Sequence, residues 1–241
     1  MKRKNRMKLL ALLGALGAFA ALTFAGGALA AGNGPGGVYA QTNDAAGNQV
    51  VAYSRAADGA LTLLGRYDTG GLGTSRTRLS SQGSVELSKN HRWLYVTNVG
   101  SNEISVFSVR RHGLTLVDKV ASGGVMPNSV TVDGSLLYVL NNGGTGAGNI
   151  TGFRIGHGSE LTQLPGSTRP LSGLATDPAQ VSFTPDGHSL IVTEKATNLI
   201  DTYSVDSARL CDRPHDPRLV RRDAVRVRLH AQRLLRRQRG V

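Results

Sequence analysis

The chain has 241 residues, 40% of them hydrophobic, which is enough for a globular core and excludes wholesale disorder. Its formal charge of +12 would suggest nucleic acid or an anionic membrane as a partner, but the charge sits at the two ends. Five Lys and Arg lie in Met1–Lys8 and eleven Arg in Ser207–Val241, which leaves 12 basic against 13 acidic residues between them. The middle is therefore nearly neutral, and the basic ends carry no aromatic residue on which bases could stack, so no nucleic-acid partner is expected.

Lys2, Arg3, Lys4, Arg6 and Lys8 precede an apolar run, Leu9–Phe24, and Ala28-Leu29-Ala30 then supplies small residues for a signal peptidase. Residues 1–30 read as an export signal cleaved after Ala30, which implies a secreted, periplasmic or cell-envelope protein with no membrane attachment once cleaved. The alternative is a membrane anchor, against which Gly26, Gly27 and the Gly-rich stretch 32–37 break a spanning helix early. Cys211 is the only cysteine, so no internal disulfide or thiolate metal cluster is expected.

From residue 31 to 206 the sequence repeats. One segment pairs a short strand with a longer alternating one: Gln82–Leu87 before Trp93–Asn98, Asn128–Val132 before Leu136–Asn141, and Gln180–Phe183 before Leu190–Glu194. A second begins with Asn and ends on an aromatic: Asn48–Tyr53, Asn102–Phe107, Asn149–Phe153 and Asn198–Tyr203. A third follows as Leu61–Leu64, Leu114–Val117 and Leu161–Leu164. The aromatics are spaced by 54, 46 and 50 residues, and turns fall at Asp58-Gly59, Asp133-Gly134 and Asp186-Gly187. Four short strands in meander order per unit of about fifty residues predict an all-β fold, a β-propeller of four-stranded blades, rather than a solenoid or an open sandwich. Gly37–Tyr67 would give strands b, c and d of the first blade.

These residues resemble the YVTN and lactonase families of β-propellers. Tyr95-Val96-Thr97-Asn98 is the YVTN signature itself, Gly100–Phe107 resembles the third strand of such blades, and Phe183-Thr184-Pro185-Asp186-Gly187 resembles their hairpin between the first two strands. The resemblance spans Gly37–Val205 and implies a seven-bladed ring, monomeric at full length and needing no cofactor. The named activities of the lactonase type are 6-phosphogluconolactone hydrolysis and carboxymuconate cyclisation. Such propellers often carry a Pro-His step leading into strand a. Here the places read Pro127-Asn128-Ser129 and Pro178-Ala179-Gln180, without the His.

The 31–206 segment would supply about three and a half blades of the seven. Residues 207–241 carry eleven Arg and no blade pattern, and read as the product of a frameshift in a GC-rich gene rather than a basic solvated tail or an RNA-binding arm. Back-translated and read one nucleotide later, Asp223–Val241 can spell a string resembling Val181–Ala196. An open half ring would aggregate through its unpaired edges.

In a propeller, strand a lines the channel, and the loops into it and out of strand b meet at one end. Equivalent positions there are Gln82, Asn128 and Gln180 at the start of strand a, and Asn43, Asn98, Asn141 and Glu194 at the end of strand b. A ring of amides with one carboxylate suits a small carboxylated or polyhydroxylated ligand, with Glu194 as candidate base and Lys195 or Arg169 as anion contacts. The competing reading is that these amides cap turns and satisfy backbone groups, and that Glu194 is a surface carboxylate paired with Lys195. His91, His112, His157 and His188 fall in turns without metal-ligand spacing, and Gly143–Gly148 reads as a hairpin loop, not a phosphate loop. Two functions follow: an exported lactonase-like hydrolase or cyclase acting on a sugar lactone or muconate-type acid, or a non-catalytic YVTN-type propeller binding a partner at the cell envelope.

Overall fold

The computed structural model describes residues 36–75 and 80–205. The export signal, the tail from residue 206 and Cys211 lie outside the described residues. Among those described there are fifteen strands and no helix. Every strand pairing is antiparallel, and the strands form four sheets in chain order.

The first sheet is β1 (Gly36–Gln41), β2 (Gln49–Arg55) and β3 (Leu61–Asp68). The second is β4 (Val85–Leu87), β5 (Trp93–Asn98), β6 (Glu103–Arg110) and β7 (Gly113–Ala121). The third holds β8 (Pro127–Asp133), β9 (Leu136–Asn141), β10 (Ala147–Ile155) and β11 (Leu161–Gln163), with β12 (Arg169–Leu174) also paired to β10. The fourth is β13 (Pro178–Phe183), β14 (Ser189–Glu194) and β15 (Leu199–Ser204). These are four-stranded blades in meander order, the first described from strand b and the last through strand c. The repeat predicts the b strands best: β5 and β9 match the sequence segments residue for residue. It misses β12, which carries none of the aromatic or Leu-Thr signals and splits the outer strand of the third blade in two.

The second and third blades are covered on both faces, and that explains why their b and c strands read as nearly continuous apolar runs. Leu94 and Val96 face the first blade, joining Val50, Ala52, Phe107 and Leu114 in one core. Tyr95, one residue on, packs the other way with Ile104, Val106, Val130, Leu137, Val139 and Phe153. The third and fourth blades meet over Tyr138, Leu140, Leu171, Leu190, Val192 and Tyr203, where Tyr138 meets Phe183 edge-on with ring centroids 5.9 Å apart. The recurrent aromatic of strand c is thus a core anchor between blades. Phe107→Ala is expected to cost about 3–5 kcal/mol by emptying the interface of the first two blades, read as a lower urea midpoint.

The turns follow their residues. Asn102 and Asn198 adopt φ of 60° and 57°, a left-handed conformation that Asn tolerates better than most residues, which is why Asn stands before two of the c strands. At Asp58-Gly59 and Asp186-Gly187 the glycines have φ of 89° and 72°, and the Asp carboxylates accept the amides of Ala60 and His188.

Candidate functional site

Strand-b ends lie at blade junctions. Asn98 is fully buried, and both ends of its amide are bonded: Nδ2 donates to Ser105 Oγ at 2.7 Å, while Oδ1 accepts from Thr69 Oγ1 at 2.7 Å and from Asn48 Nδ2 at 2.9 Å. Ser105 Oγ passes the chain on to the carbonyl of Thr69. Thr69 begins the link leaving the first blade, so the network ties one blade to the next. Asn141 stands at the equivalent place with other partners: its Nδ2 donates to the carbonyl of Ser122 and to Asn149 Oδ1, its Oδ1 is buried without a partner, and Thr151 donates to the carbonyl of Gly123.

These links share a pattern that the strand repeat did not reveal: Thr69-Gly70-Gly71-Leu72, Ser122-Gly123-Gly124-Val125 and Ser172-Gly173-Leu174. Its second glycine leaves room for the amide. A Cβ on Gly71 would stand 2.4 Å from Asn98 Cγ, and one on Gly124 would stand 2.5 Å from Asn141 Cγ.

Glu194 occupies the same position in the fourth blade, and there the amide junction becomes an acid pair. It is 3% exposed, accepting the Ser172 amide at 3.1 Å and the hydroxyls of Ser172 and Thr197. Asp201, fully buried, stands where Ser105 and Thr151 stand in the other blades and is hydrogen-bonded to Glu194. Burial, the hydrogen bond to Glu194 and its negative charge together raise the Asp201 pKa from 3.8 to about 7. Burial works against ionised Glu194 too, but the hydrogen bonds from Asp201, Ser172 and Thr197 outweigh it and hold its pKa below the usual value. The two groups titrate as a pair, which holds a single proton between its two titration steps. Lys195 does not pair with Glu194: its ammonium donates to the Ser80 carbonyl at 2.6 Å and meets Asp177 at 3.2 Å. The reading of Glu194 as a surface carboxylate paired with Lys195 is therefore corrected, because the strand-b end is packed against the preceding blade.

The remaining candidates diverge. Asn128 is 3% exposed, and its Nδ2 donates to the Pro178 carbonyl at 2.8 Å. Gln82 is exposed, and its backbone amide reaches Ala179 of β13. Gln180 is half-buried on β13. Asn43, in the left-handed conformation with φ 55°, holds Thr74 through both side-chain atoms. Arg169 folds onto the carbonyls of Gly166 and Thr168 in its own turn.

One cavity of about 480 Å³ lies where the loops into strand a and out of strand b come together. Met126 and Asn128 come from the start of β8, Val99, Asn142, Gly144 and Thr145 from the b–c turns, Ala175 and Asp177 from the link into β13, and Thr74 and Ser80 from the link between the first two blades. Of the amide ring and its carboxylate, the structure brings only Asn128 to this cavity. The sequence reading missed Asp177 and the part played by the Gly-rich loop. Four non-glycine lining residues, Ser80, Met126, Ala175 and Asp177, have φ between 46° and 58°. Backbone strain of this kind costs energy and persists where the surroundings impose it, as they do at ligand sites. Among the described residues, no group of three or more His, Cys, Asp or Glu is placed to hold a metal ion.

A family model described as lactonase, seven-bladed β-propeller matches residues 37–168. The chain belongs to this family. Three solved structures show the same lactonase-type fold. A protein of unknown function from Desulfotomaculum acetoxidans has a TM-score of 0.56 at 17% identity, over 71% of this chain and 51% of that one. A protein from Lactobacillus plantarum has 0.54 at 21% identity, over 70% and 50%. A periplasmic gluconolactonase from Pseudomonas aeruginosa has 0.51 at 18% identity, over 70% and 50%. The chain thus spans about half the length of these relatives. No curated protein sequence matches it significantly.

Proposed function

We propose that this lactonase-type propeller binds a small hydroxylated lactone in the cavity at the strand-a end and hydrolyses it. The observation that carries the reading is the cavity itself, built from the strand-a and b–c loops with strained backbone around it and a carboxylate, Asp177, in its wall. Asp177 takes a proton from a water attacking the lactone carbonyl, the ring C–O bond breaks, and the ring oxygen leaves as a hydroxyl carrying the proton that Asp177 returns. Lys195, ion-paired with Asp177, fixes that carboxylate. Glu194 in this scheme acts through the loop, holding the blade junction next to Lys195, rather than on the substrate. Export rests on the basic start and apolar run of residues 1–30, and one of the structural relatives is a periplasmic protein.

The test is a pH-stat assay of the whole chain with a panel of sugar lactones and muconate-type acids. Asp177→Asn is expected to lower kcat at least a hundredfold while leaving the urea midpoint nearly unchanged, because Asp177 is exposed. Turnover unaffected by Asp177→Asn would overturn its role.

A second reading, a binding propeller without catalysis at the cell envelope, is favoured by one observation: Asp177, the base of the first reading, is engaged by the Lys195 ammonium at 3.2 Å. Ligand binding without turnover on any lactone of the panel would select it.

A further inference from the structure

We infer that the end of the second blade carrying its a–b and c–d turns, opposite the cavity, is a docking surface for an acidic polysaccharide. The inference concerns other residues than the proposed lactone site and holds whether or not a lactone is hydrolysed. Two independent features carry it.

The first is a cationic turn on a costly backbone. The a–b turn of the second blade, Ser88-Lys89-Asn90-His91-Arg92, is bonded as Thr184-Pro185-Asp186-Gly187-His188 is in the fourth. In each, the first hydroxyl donates to the side-chain oxygen of the third residue and accepts the amide of the sixth, while that oxygen accepts the amide of the fifth. The residues differ: Lys89 stands where the fourth blade has Pro185, neutral Asn90 where it has Asp186, and His91, with φ of 57°, where it has Gly187, with φ of 72°. Asn90 thus makes the same bonds without the negative charge, and His91 bears a left-handed backbone that glycine adopts freely. The Val109 amide donates to the Arg92 carbonyl and joins this turn to the c–d turn, Arg110-Arg111-His112-Gly113. Lys89, Arg92, Arg110 and Arg111 are exposed, neither turn holds an acid, and among the described residues none of the four has an ion-pair partner. Such a one-signed cluster attracts a polyanion, and its guanidinium groups suit carboxylates.

The second is a cleft beside that turn. A volume of about 510 Å³ opens between the second and third blades, with Lys89 and Trp93 on one side and Asp133, His157 and Ser159 on the other. Trp93 is half-buried, resting on the core around Tyr95 while it lines the cleft. Ser159, with φ of 67°, is hydrogen-bonded to the buried Tyr95 phenol. The Asp133 carboxylate lies toward the fourth blade, 2.5 Å from where a Cβ on Gly187 would stand, and makes no ion pair with Lys89. An indole among polar groups takes the C–H face of a sugar ring while its neighbours bond the hydroxyls. A flat bilayer or a nucleic-acid duplex would meet the charged turns and leave the cleft empty, whereas a polymer of charged sugar rings fills both.

The test uses Trp93, the single tryptophan of the chain, as its reporter. Titration of the whole chain with polygalacturonate is expected to shift the Trp93 emission saturably, with an affinity at least fivefold weaker in about 300 mM than in about 50 mM NaCl. The triple variant Lys89→Ser, Arg110→Ser, Arg111→Ser, at exposed positions, should bind at least tenfold more weakly with an unchanged urea midpoint. Comparison with this variant sets aside polyanion binding by the eleven Arg of 207–241, which it keeps. Dextran, a neutral polysaccharide, should bind at least tenfold more weakly than polygalacturonate. Equal affinity for dextran, equal affinity of the triple variant, or no Trp93 response overturns the inference. So does a phosphatidylglycerol vesicle or a DNA duplex that shifts the emission at lower concentration than polygalacturonate, which would assign the face to a membrane or to nucleic acid. Polygalacturonate binding without lactone turnover refutes the hydrolase alone, and turnover without such binding refutes this inference alone.

Discussion

Asn98→Ala is expected to be among the most destabilising single substitutions in the chain. Removing the side chain deprives Thr69 Oγ1 and Asn48 Nδ2 of their shared acceptor and Ser105 Oγ of its donor, all within the buried junction of the first two blades. Each buried polar group left open costs about 1–3 kcal/mol, and Thr69 Oγ1 and Asn48 Nδ2 can recover part of this through the Asn48 carbonyl and Gln41 Oε1, whereas Ser105 Oγ is left without its donor. A loss on the order of 3–5 kcal/mol follows, measured as the change in urea unfolding free energy. Gly71→Ala should reproduce much of it from the other side, since its Cβ would stand 2.4 Å from Asn98 Cγ. A neutral Asn98→Ala would mean that the blades are held by their apolar cores alone.

The acid pair predicts the second large effect, and its sign is opposite to the ordinary carboxylate case. Folding raises the Asp201 pKa from 3.8 to about 7, so between those values the folded chain holds a proton that the unfolded chain has released. The stability from this group is complete below about pH 4 and is lost as pH rises through 7. Glu194, held below its usual pKa, contributes in the other direction: its share is present above that usual value and is lost as pH falls through the depressed one. The chain should therefore be most stable in mild acid and lose on the order of 2–4 kcal/mol towards pH 8, at 1.36 kcal/mol per pKa unit. Asp201→Asn removes the titration and keeps a donor facing Glu194. Its unfolding free energy should be flat over pH 5–8 and exceed that of the unaltered chain at pH 8. Parallel pH profiles for the two proteins would show that the pair shares no proton.

What was legible in the sequence is what period-two alternation encodes. Trp93–Asn98 and Leu136–Asn141 announce themselves because both faces of a b strand are buried between blades, and Asn102 and Asn198 mark turns because their backbone is left-handed. The candidate site was legible only in part. Position at the end of strand b was read as facing a ligand, but Asn98 and Asn141 turn into the preceding blade, where the Thr/Ser-Gly-Gly links receive them. That link recurs at 69–72, 122–125 and 172–174, and comparing it across units would have pointed to a junction. Substitution of Glu194 into the amide series was visible, but its meaning was not, because Asp201 lies seven residues on and reads as one more polar residue of strand c. Asp177 gave no signal at all: its place in the cavity comes from the link into β13, a segment outside the strand repeat.

At the centre of the account is a proposed division of labour, in which strand-b ends join blades and the cavity beside the start of strand a takes the ligand. The direct test is the lactone assay on folded Asn98→Ala and Asp177→Asn side by side. Turnover is expected within about twofold of the unaltered chain for the first and at least a hundredfold lower for the second. The reverse order, with Asn98→Ala losing turnover and Asp177→Asn keeping it, would contradict that division.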